Sequence, residues 1–450
     1  MSELLRSVGL DVGTTSTQLI VSELTVENQA SSFAVPQMEI ARREILYKSP
    51  VYFTPLLDES HVDGEGLREI VEQEYKRAGI TRSCVDTGAI IITGETSRKE
   101  NARTVLEALA DLAGEFVVAT AGPDLESILA AKGAGALDYS RETGKTVLHM
   151  DIGGGTSNLA LIRDGSIVQT GCLNVGGRLV KVDGYGRVSY ISPVLQGICS
   201  LKIGDTVTSE QVEPIAQALV QALEMAAGLR SPGKLLHQLL TRETREAWRA
   251  PEEKAVLSFS GGVAECIRRE VSPWEFGDIG PILGQKIRSS RLCEGEYRLG
   301  SEAIRATVIG AGCHSTQLSG STVFHQNLQL PLKNLPVVSV PELSGIGAVL
   351  ARQEGPAILA LPQMPTPSYR QIIAAAEQIC AQAGHPLLLC MEQDMAKALG
   401  QALAIRLPGE TQILCIDRVK VSEGSYLDIG VPVAQAFPVV VKTLVLGNGE

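Results

Sequence analysis

The sequence contains one short pattern twice, and this repetition limits the folds that the chain can adopt. An apolar run over 7–11 leads into a Gly/Thr turn and then into a second apolar run over 17–23. The same order returns about 140 residues later, over 147–151, 153–156 and 159–163. Each copy predicts a β-hairpin whose tip is rich in Gly. Two such hairpins at this separation predict two related α/β domains that face each other.

The two turns have the composition of phosphate-binding loops. Gly leaves the backbone N–H groups unobstructed, and Thr adds hydroxyl donors. The first turn contains Gly13, Thr14 and Thr15, and the second contains Gly153, Gly154, Gly155 and Thr156. Asp followed by Gly at a strand end is also a common β-turn, so a single copy would be weak evidence. The matched pair favours a phosphate site.

An aspartate precedes each turn, two residues before its first Gly, at Asp11 and Asp151. Carboxylates that converge on one nucleotide can hold Mg²⁺ through its water shell, because Mg²⁺ prefers oxygen ligands and dehydrates reluctantly. The sequence therefore predicts ATP bound together with Mg²⁺ between the two turns.

Two further Gly-rich stretches predict where the adenosine binds. The apolar run over 255–259 ends in Ser260, Gly261 and Gly262. Only Gly lets the backbone approach a flat base closely, although a plain strand-to-helix turn is the alternative. A run over 306–309, predicted as a strand, ends in Gly310 and Gly312, which are expected to complete the site. Two other nucleotide-binding motifs are absent. Tyr139 occupies the position at which a Walker loop needs Gly, and Asn158 occupies the position at which a dinucleotide fingerprint needs Gly.

The rest of the chain predicts an α/β protein of several domains. Amphipathic helices are predicted over 66–78 and 209–229, whereas the Pro-interrupted stretch 28–60 is predicted to be irregular. Beyond Pro331 short apolar runs alternate with helical stretches, which indicates a further α/β unit. The predicted units are 1–145, 146–335 and 336–450.

Composition narrows the classes of function. The formal net charge of −11 disfavours nucleic acid and anionic membranes as partners, because both bind basic surfaces. Nine cysteines without a Cys-x-x-Cys pair argue against a disulfide framework or a zinc site. No run reaches the ~18 apolar residues that span a bilayer, and the first residues lack a signal pattern. We expect a cytoplasmic protein.

The motifs, taken together, resemble a known superfamily. LDVGTTSTQ at 10–18, an Ala-rich connecting helix, MDIGGGTSN at 150–158, FSGGVAE at 259–265 and VIGAG at 308–312 look like the five nucleotide-site motifs shared by actin, Hsp70 chaperones and sugar kinases. The resemblance implies an actin-like ATPase fold, which is ribonuclease H-like, with an additional C-terminal α/β region. One departure is Gln18, where many members carry a basic residue or Cys.

Within that superfamily the chain resembles the ethanolamine ammonia-lyase reactivating factors along its whole length. The similarity is carried by IITGETSRKENA at 91–102, PDLESILAAKGAGA at 123–136 and RATVIGAGCHSTQLSGST at 305–322. It implies a slow ATPase that acts as a chaperone on the lyase and, with ATP and Mg²⁺, releases damaged cobalamin so that intact adenosylcobalamin can bind. It is also compatible with a homodimer and with association with a bacterial microcompartment.

The group that positions water for ATP hydrolysis is expected on the connecting segments, where Glu126 and Glu95 are the available carboxylates. Both have structural alternatives, since Glu95 can cap a helix and Glu126 lies in a first helical turn, where an acid is favoured anyway. Two other functions stay open. A small-molecule kinase would need a catalytic Asp as base, for which the sequence offers no convincing candidate, and a nucleotide-dependent filament or scaffold protein is the second.

Overall fold

The computed structural model describes most of the 450 residues in detail. The described residues are 3–13, 16–28, 38–58, 61–93, 101, 105, 109, 118–120, 123–242, 244–300, 303–314, 316–319, 322–353, 355–364, 367–382, 384, 386–419, 421, 425–432 and 436–443. Thr14, Thr15 and Glu95 therefore lie outside the described residues.

The first sheet is built around the first hairpin. Its strands are β1 (Glu3–Val12), β2 (Ser16–Asn28), β3 (Met38–Lys48), β4 (Tyr52–Phe53), β5 (Thr87–Ile92) and β6 (Val118–Thr120). Their order is β3-β2-β1-β5-β6, with β4 paired to β2. The pairs of β1–β2 and β2–β3 are antiparallel, and those of β1–β5 and β5–β6 are parallel. Helix α1 (Gly64–Ala78) packs Leu67, Val71 and Tyr75 into this core.

Strand β3 overturns one expectation, because the stretch 28–60 is not irregular throughout. The strand pairs with β2 along most of its length, from Ile20 opposite Lys48 to Asn28 opposite Met38. Its side chains are largely exposed. Its charged sequence therefore carries no apolar alternation, and the pairing with β2 stabilises it as an edge strand.

The second sheet repeats the first. Its strands are β7 (Val147–Ile152), β8 (Ser157–Arg163), β9 (Ser166–Leu173), β12 (Val256–Ser260) and β13 (Tyr297–Leu299). Their order, β9-β8-β7-β12-β13, has the same directions as β3-β2-β1-β5-β6. A small sheet of β10 (Val180–Val182) and β11 (Val188–Ile191) stands beside it. The equal strand orders confirm the predicted pair of related α/β domains.

Two helices lie between these sheets, one after the last strand of each. They are α2 (Pro123–Gly133), which α3 (Ala136–Thr143) follows, and α8 (Ala306–His314). The intervening helices of the second domain are α4 (Ser209–Ala226), α5 (Lys234–Leu239), α6 (Gly262–Arg268) and α7 (Gly280–Arg288).

Glycines permit close contact between α2 and α8. A Cβ on Gly310 would lie 2.0 Å from the carbonyl oxygen of Leu129, and one on Gly133 would lie 1.9 Å from that of Ala306. On its other side α8 packs against β1, where a Cβ on Gly9 would lie 2.7 Å from the backbone nitrogen of Gly312. The prediction of a strand over 306–309 is therefore wrong. A short apolar run does not distinguish a buried strand from a helix that is enclosed by its neighbours.

The third unit follows α8. Its strands are β14 (Thr316–Leu318), β15 (Phe324–Gln326), β16 (Leu332–Ser339), β17 (Ile358–Ala360), β18 (Leu387–Cys390), β19 (Ile413–Ile416), β20 (Ser425–Ile429) and β21 (Pro438–Thr443). Strands β16 to β19 run parallel at the centre of an eight-stranded sheet. Helices α9 (Ile346–Leu350), α10 (Tyr369–Cys380) and α11 (Ala396–Arg406) connect them.

The boundary of the third unit differs from the predicted one. A division after residue 335 would cut β16 in two, and β14 already pairs with β21 of the same sheet. We therefore propose that this unit begins near residue 316. Its residues Leu318 and Ala436 pack against Leu5, Leu24 and Val26 of the first sheet, so the unit is attached to the first domain.

The contact between α2 and α8 gives the first testable prediction. Gly310→Ala should lower the free energy of unfolding by about 1–3 kcal/mol, because the new methyl group meets backbone atoms that cannot rotate away. Chemical denaturation followed by circular dichroism measures this loss. Gly184→Ala is the matched control, since nothing lies within 4 Å of its Cβ position, and its change should stay below about 0.5 kcal/mol. Equal stability of the two variants would contradict the packing.

Candidate nucleotide site

One cavity of about 460 Å³ lies between the first two domains. The first domain contributes Asp11, Gly13 and Gln18 to its wall. The second contributes Asp151, Gly153, Gly154, Gly155 and Thr156. The tips of the two hairpins therefore lie at one site. This is expected for two related domains in which the first strand of each ends at the cleft.

The described parts of the two hairpin tips close in the same way. The N–H of Gly13 donates to the carbonyl of Ser16 at 2.9 Å, and that of Gly153 donates to the carbonyl of Thr156, also at 2.9 Å. The first tip is held from outside by Thr54, whose hydroxyl donates to the Gly13 carbonyl at 2.7 Å. The carbonyls of the second tip accept from the backbone of residues 177 and 178 at 3.1 and 2.7 Å. These carbonyl oxygens of the two tips therefore accept hydrogen bonds from the protein itself.

The two aspartates face the cavity from opposite domains. Burial raises the pKa of Asp11 to about 7; the hydroxyl of Thr93 opposes this rise by donating at 3.0 Å, and the charge of Asp151 adds to it. Burial likewise raises the pKa of Asp151, against the hydroxyl of Thr307, which donates at 3.3 Å. Two desolvated carboxylates that repel each other are an arrangement that a cation stabilises. The pair therefore fits the predicted Mg²⁺.

A chain of buried side chains supports Asp151 from behind. The hydroxyl of Ser260 donates to Asp151, and it therefore accepts from Nε2–H of His149, 2.9 Å away. Nδ1 of His149 then accepts from Ser258 at 3.0 Å. Burial lowers the pKa of His149 to about 3, so the ring is neutral. Ser260 thus lies behind a carboxylate, whereas the sequence suggested a contact with adenosine.

Glu126 lies in the cavity wall, on α2, and its side chain is buried. It accepts a hydrogen bond from Nδ2 of Asn158 at 2.9 Å. Asn158 pairs in register with Asp151 on the second hairpin, as Gln18 pairs with Asp11 on the first. Sequence reasoning used Asn158 only to exclude a dinucleotide fingerprint. The signal that it missed was the equivalent position of the two amides in the repeat.

Another part of the cavity wall is formed by the turn after β12. Gly261 has φ +88°, and a Cβ there would lie 2.3 Å from the carbonyl of Ile152, so the turn requires glycine. Gly261 and Gly262 both line the cavity, together with Glu265 and Phe276. Gly310 and Gly312 lie instead in α8, where they contact α2 and β1.

Comparison with known proteins identifies the family. The model of "Ethanolamine utilisation protein EutA" matches residues 3–447. The chain belongs to the EutA family. Two relatives carry the name "Ethanolamine ammonia-lyase reactivase EutA": the protein of Salmonella typhimurium (strain LT2) is 39% identical over 465 residues and that of Escherichia coli (strain K12) over 464, each covering 98% of both chains. The family resemblance of the motifs is thereby confirmed.

Solved structures match a smaller part of this EutA-family chain. An exopolyphosphatase from Cytophaga hutchinsonii has a TM-score of 0.40 at 10% identity and covers 68% of this chain and 96% of its own. MreB 5 of Spiroplasma citri has a TM-score of 0.34 at 18% identity, with 68% and 94% covered. Matches this distant carry no argument about function. The repeated strand order gives two related α/β domains with an additional C-terminal α/β region, as the resemblance to the actin-like ATPases implied.

The mouth of the cavity contains residues that the sequence did not point to. Nε of Arg178 lies 3.4 Å from Asp278, within the second domain. The same guanidinium stands 6.0 Å from the ring centre of Phe53, which belongs to the first domain and is largely exposed. Phe53 and Arg178 therefore connect the two domains across the opening.

The described residues contain no group of three or more His, Cys, Asp or Glu side chains that could hold a metal. Asp11 and Asp151 are only two carboxylates, which suits Mg²⁺ that keeps most of its waters. In the same part of the chain no helix has the length and apolar character needed to cross a membrane.

The support behind Asp151 gives the second prediction. Ser260→Ala leaves a carboxylate oxygen of Asp151 and the Nε2–H of His149 without a partner, so the free energy of unfolding should fall by about 1–3 kcal/mol. Denaturant titration of the purified variant measures the loss. Ser289→Ala removes an exposed hydroxyl and should change stability by less than about 0.5 kcal/mol. A Ser260→Ala variant as stable as this control would refute the network.

Proposed function

We propose that this chain is an ATP-dependent reactivating chaperone of ethanolamine ammonia-lyase. The observation that carries the proposal is membership of the EutA family over the whole chain, with relatives that are named as reactivases of that lyase. The cavity between the two hairpins supports the dependence on ATP, because its wall combines Gly-rich turns with two converging carboxylates.

Different residues of this chain would bind different parts of the nucleotide. The backbone of the two turns, with Thr14, Thr15 and Thr156, holds the phosphates, and the turn at Gly261 and Gly262 receives the adenosine. Asp11 and Asp151 hold Mg²⁺ through its waters, and the ion supplies positive charge to the phosphates. We place Gly310 and Gly312 behind this site, as the glycines that let α8 approach the rest of the fold.

Hydrolysis needs a group that orients water, and Glu126 is the carboxylate that the described cavity offers beside the hairpins. Asn158 holds it through a 2.9 Å hydrogen bond, so that the carboxylate keeps one orientation. Glu95, the other carboxylate expected from the sequence, stays a prediction. A single oriented carboxylate suits a slow ATPase.

Nucleotide state would act on the lyase through the angle between the two domains. A nucleotide that binds both hairpins favours the closed cleft, and the contact of Phe53 with Arg178 changes when the cleft opens. One state then binds the lyase in a form that holds damaged cobalamin poorly, so that intact adenosylcobalamin replaces it. To shift the equilibrium between the two states from 1:99 to 99:1, the nucleotide must bind one state about 5.5 kcal/mol more strongly than the other. We expect this work in the cytoplasm, in association with a bacterial microcompartment.

The third prediction tests the proposal directly. Purified ethanolamine ammonia-lyase is inactivated with cyanocobalamin, and the chain is added with ATP, Mg²⁺ and adenosylcobalamin. Lyase activity should return, whereas Asp11→Asn and Asp151→Asn should abolish the recovery and keep the circular dichroism of the wild type, because both carboxylates lie in the cavity wall. Asp138→Asn changes an exposed carboxylate and should restore activity fully. Recovery with both cavity variants would mean that the metal site is misplaced.

The fourth prediction separates nucleotide binding from hydrolysis. Glu126→Gln keeps the shape of the side chain but removes the base, so phosphate release should fall by about 10²-fold or more. Binding of a fluorescent ADP should change by less than about threefold. Phosphate release at the wild-type rate would exclude Glu126 as the group that orients water.

The same purified protein distinguishes the two alternative functions, a small-molecule kinase and a filament or scaffold protein. ATP turnover that a sugar or polyol stimulates without any lyase would indicate a small-molecule kinase. Sedimentation that depends on nucleotide and needs no partner would indicate a filament or scaffold protein.

A further inference from the structure

Gln18 and Asn158 are a matched pair of amides in the cavity wall. They occupy equivalent positions in the two hairpins, opposite Asp11 and Asp151 in the strand register. Both side chains are almost completely buried, with 3% and 5% of their surface exposed. The pair belongs to the proposed nucleotide site, and the inference that follows rests on that site.

The orientation of each amide is fixed by what its nitrogen contacts. Nε2 of Gln18 donates to the carbonyl oxygen of Ile304 at 3.0 Å, and Nδ2 of Asn158 donates to the carboxylate of Glu126 at 2.9 Å. A carbonyl accepts only, and so does a carboxylate, so neither amide can be turned around. The oxygens Oε1 of Gln18 and Oδ1 of Asn158 are left without a hydrogen-bond partner in the described part of the chain.

A buried oxygen without a donor is unfavourable by about 1–3 kcal/mol. Nucleotide phosphates cannot relieve this cost, because their oxygens are also acceptors. Water bound to a metal ion can, because its O–H groups point away from the ion. The two amides are therefore suited to the water shell of a cation that accompanies the phosphates.

The charged residues that line the cavity also favour a nucleotide that is bound together with a cation. Among the described lining residues there are five carboxylates against two guanidinium groups. Arg178 already pairs with Asp278, and Arg269 follows helix α6, beyond the turn assigned to adenosine. The two hairpins contribute the acids Asp11 and Asp151 but no basic side chain to the described lining of the cavity, and α2 adds the acid Glu126. A metal-free nucleotide would bring further negative charge against them.

We propose that Gln18 makes this site specific for nucleotide that is complexed with a divalent cation. The neutral amide adds no positive charge beside the first phosphate turn, so the nucleotide must bring its own. The oxygens of Gln18 and Asn158 accept hydrogen bonds from waters of that cation and so recognise the complex. A lysine at position 18 would supply the missing charge and would remove the requirement.

The fifth prediction measures this specificity by binding alone. A fluorescent ADP is titrated into the full chain with excess Mg²⁺ and again with EDTA. Wild-type affinity should fall at least about tenfold on removing Mg²⁺, since one unpaired charge at close range is worth more than 1.4 kcal/mol in a partly buried site. Gln18→Lys should reduce this ratio to about threefold or less, chiefly by tighter binding in EDTA.

Two further variants complete the design. Gln401→Lys adds the same charge on the exposed face of α11 and should keep the wild-type ratio. Gln18→Glu is nearly isosteric with the native residue and adds an acid, so it should weaken binding in EDTA and raise the ratio of the affinities with and without Mg²⁺ by about tenfold. If circular dichroism shows that Gln18→Lys does not fold, the Gln18→Glu variant tests the inference instead.

The outcomes separate the inference from the function on which it rests. A Gln18→Lys protein that folds but keeps the wild-type ratio overturns the inference, and so does an unchanged ratio in Gln18→Glu. Equal wild-type affinity with Mg²⁺ and with EDTA, together with restored lyase activity, overturns the inference alone. A wild-type chain that binds no nucleotide even with Mg²⁺ overturns both.

Discussion

The close contact between helices Pro123–Gly133 and Ala306–His314 is the constraint on which the rest of the structure depends. Backbone atoms meet there because Gly133 and Gly310 have no side chain. Each helix follows the last strand of its own sheet, so the contact sets the separation of the two sheets. With that separation the two hairpin tips line one cavity instead of two exposed turns.

The cavity gathers like charges, and this determines what it can bind. Asp11 and Asp151 come from different domains, yet both lose water and both have raised pKa values. Such a pair is stable when a cation lies between the carboxylates or when the cleft opens. This unfavourable interaction between the domains suits the ATP-dependent chaperone that we propose, because bound nucleotide and metal would change its sign.

The two related domains share one strand topology, but the side chains that they bring to the cavity differ. Gln18 and Asn158 occupy matching register positions, but a backbone carbonyl holds the first amide and a carboxylate holds the second. The second domain thus brings Glu126 beside the cavity, whereas the first brings the strand of Phe53, which reaches Arg178 across the mouth. In the proposed function, the second domain serves hydrolysis and the first senses the opening of the cleft.

The sequence by itself determined the two hairpins, the turns with their aspartates, and the family, because strand alternation and Gly-rich turns are local properties that a short motif records. It also placed Glu126 on the connecting helix. It could not distinguish helix 306–314 from a strand, or recognise the edge strand Met38–Lys48, because both depend on neighbours that are distant in the chain. Only the tertiary structure decided that Ser260 lies behind Asp151, that Gly310 and Gly312 are packing residues, and that two buried amide oxygens have no partner among the described residues. Each of these facts depends on distances between separate segments.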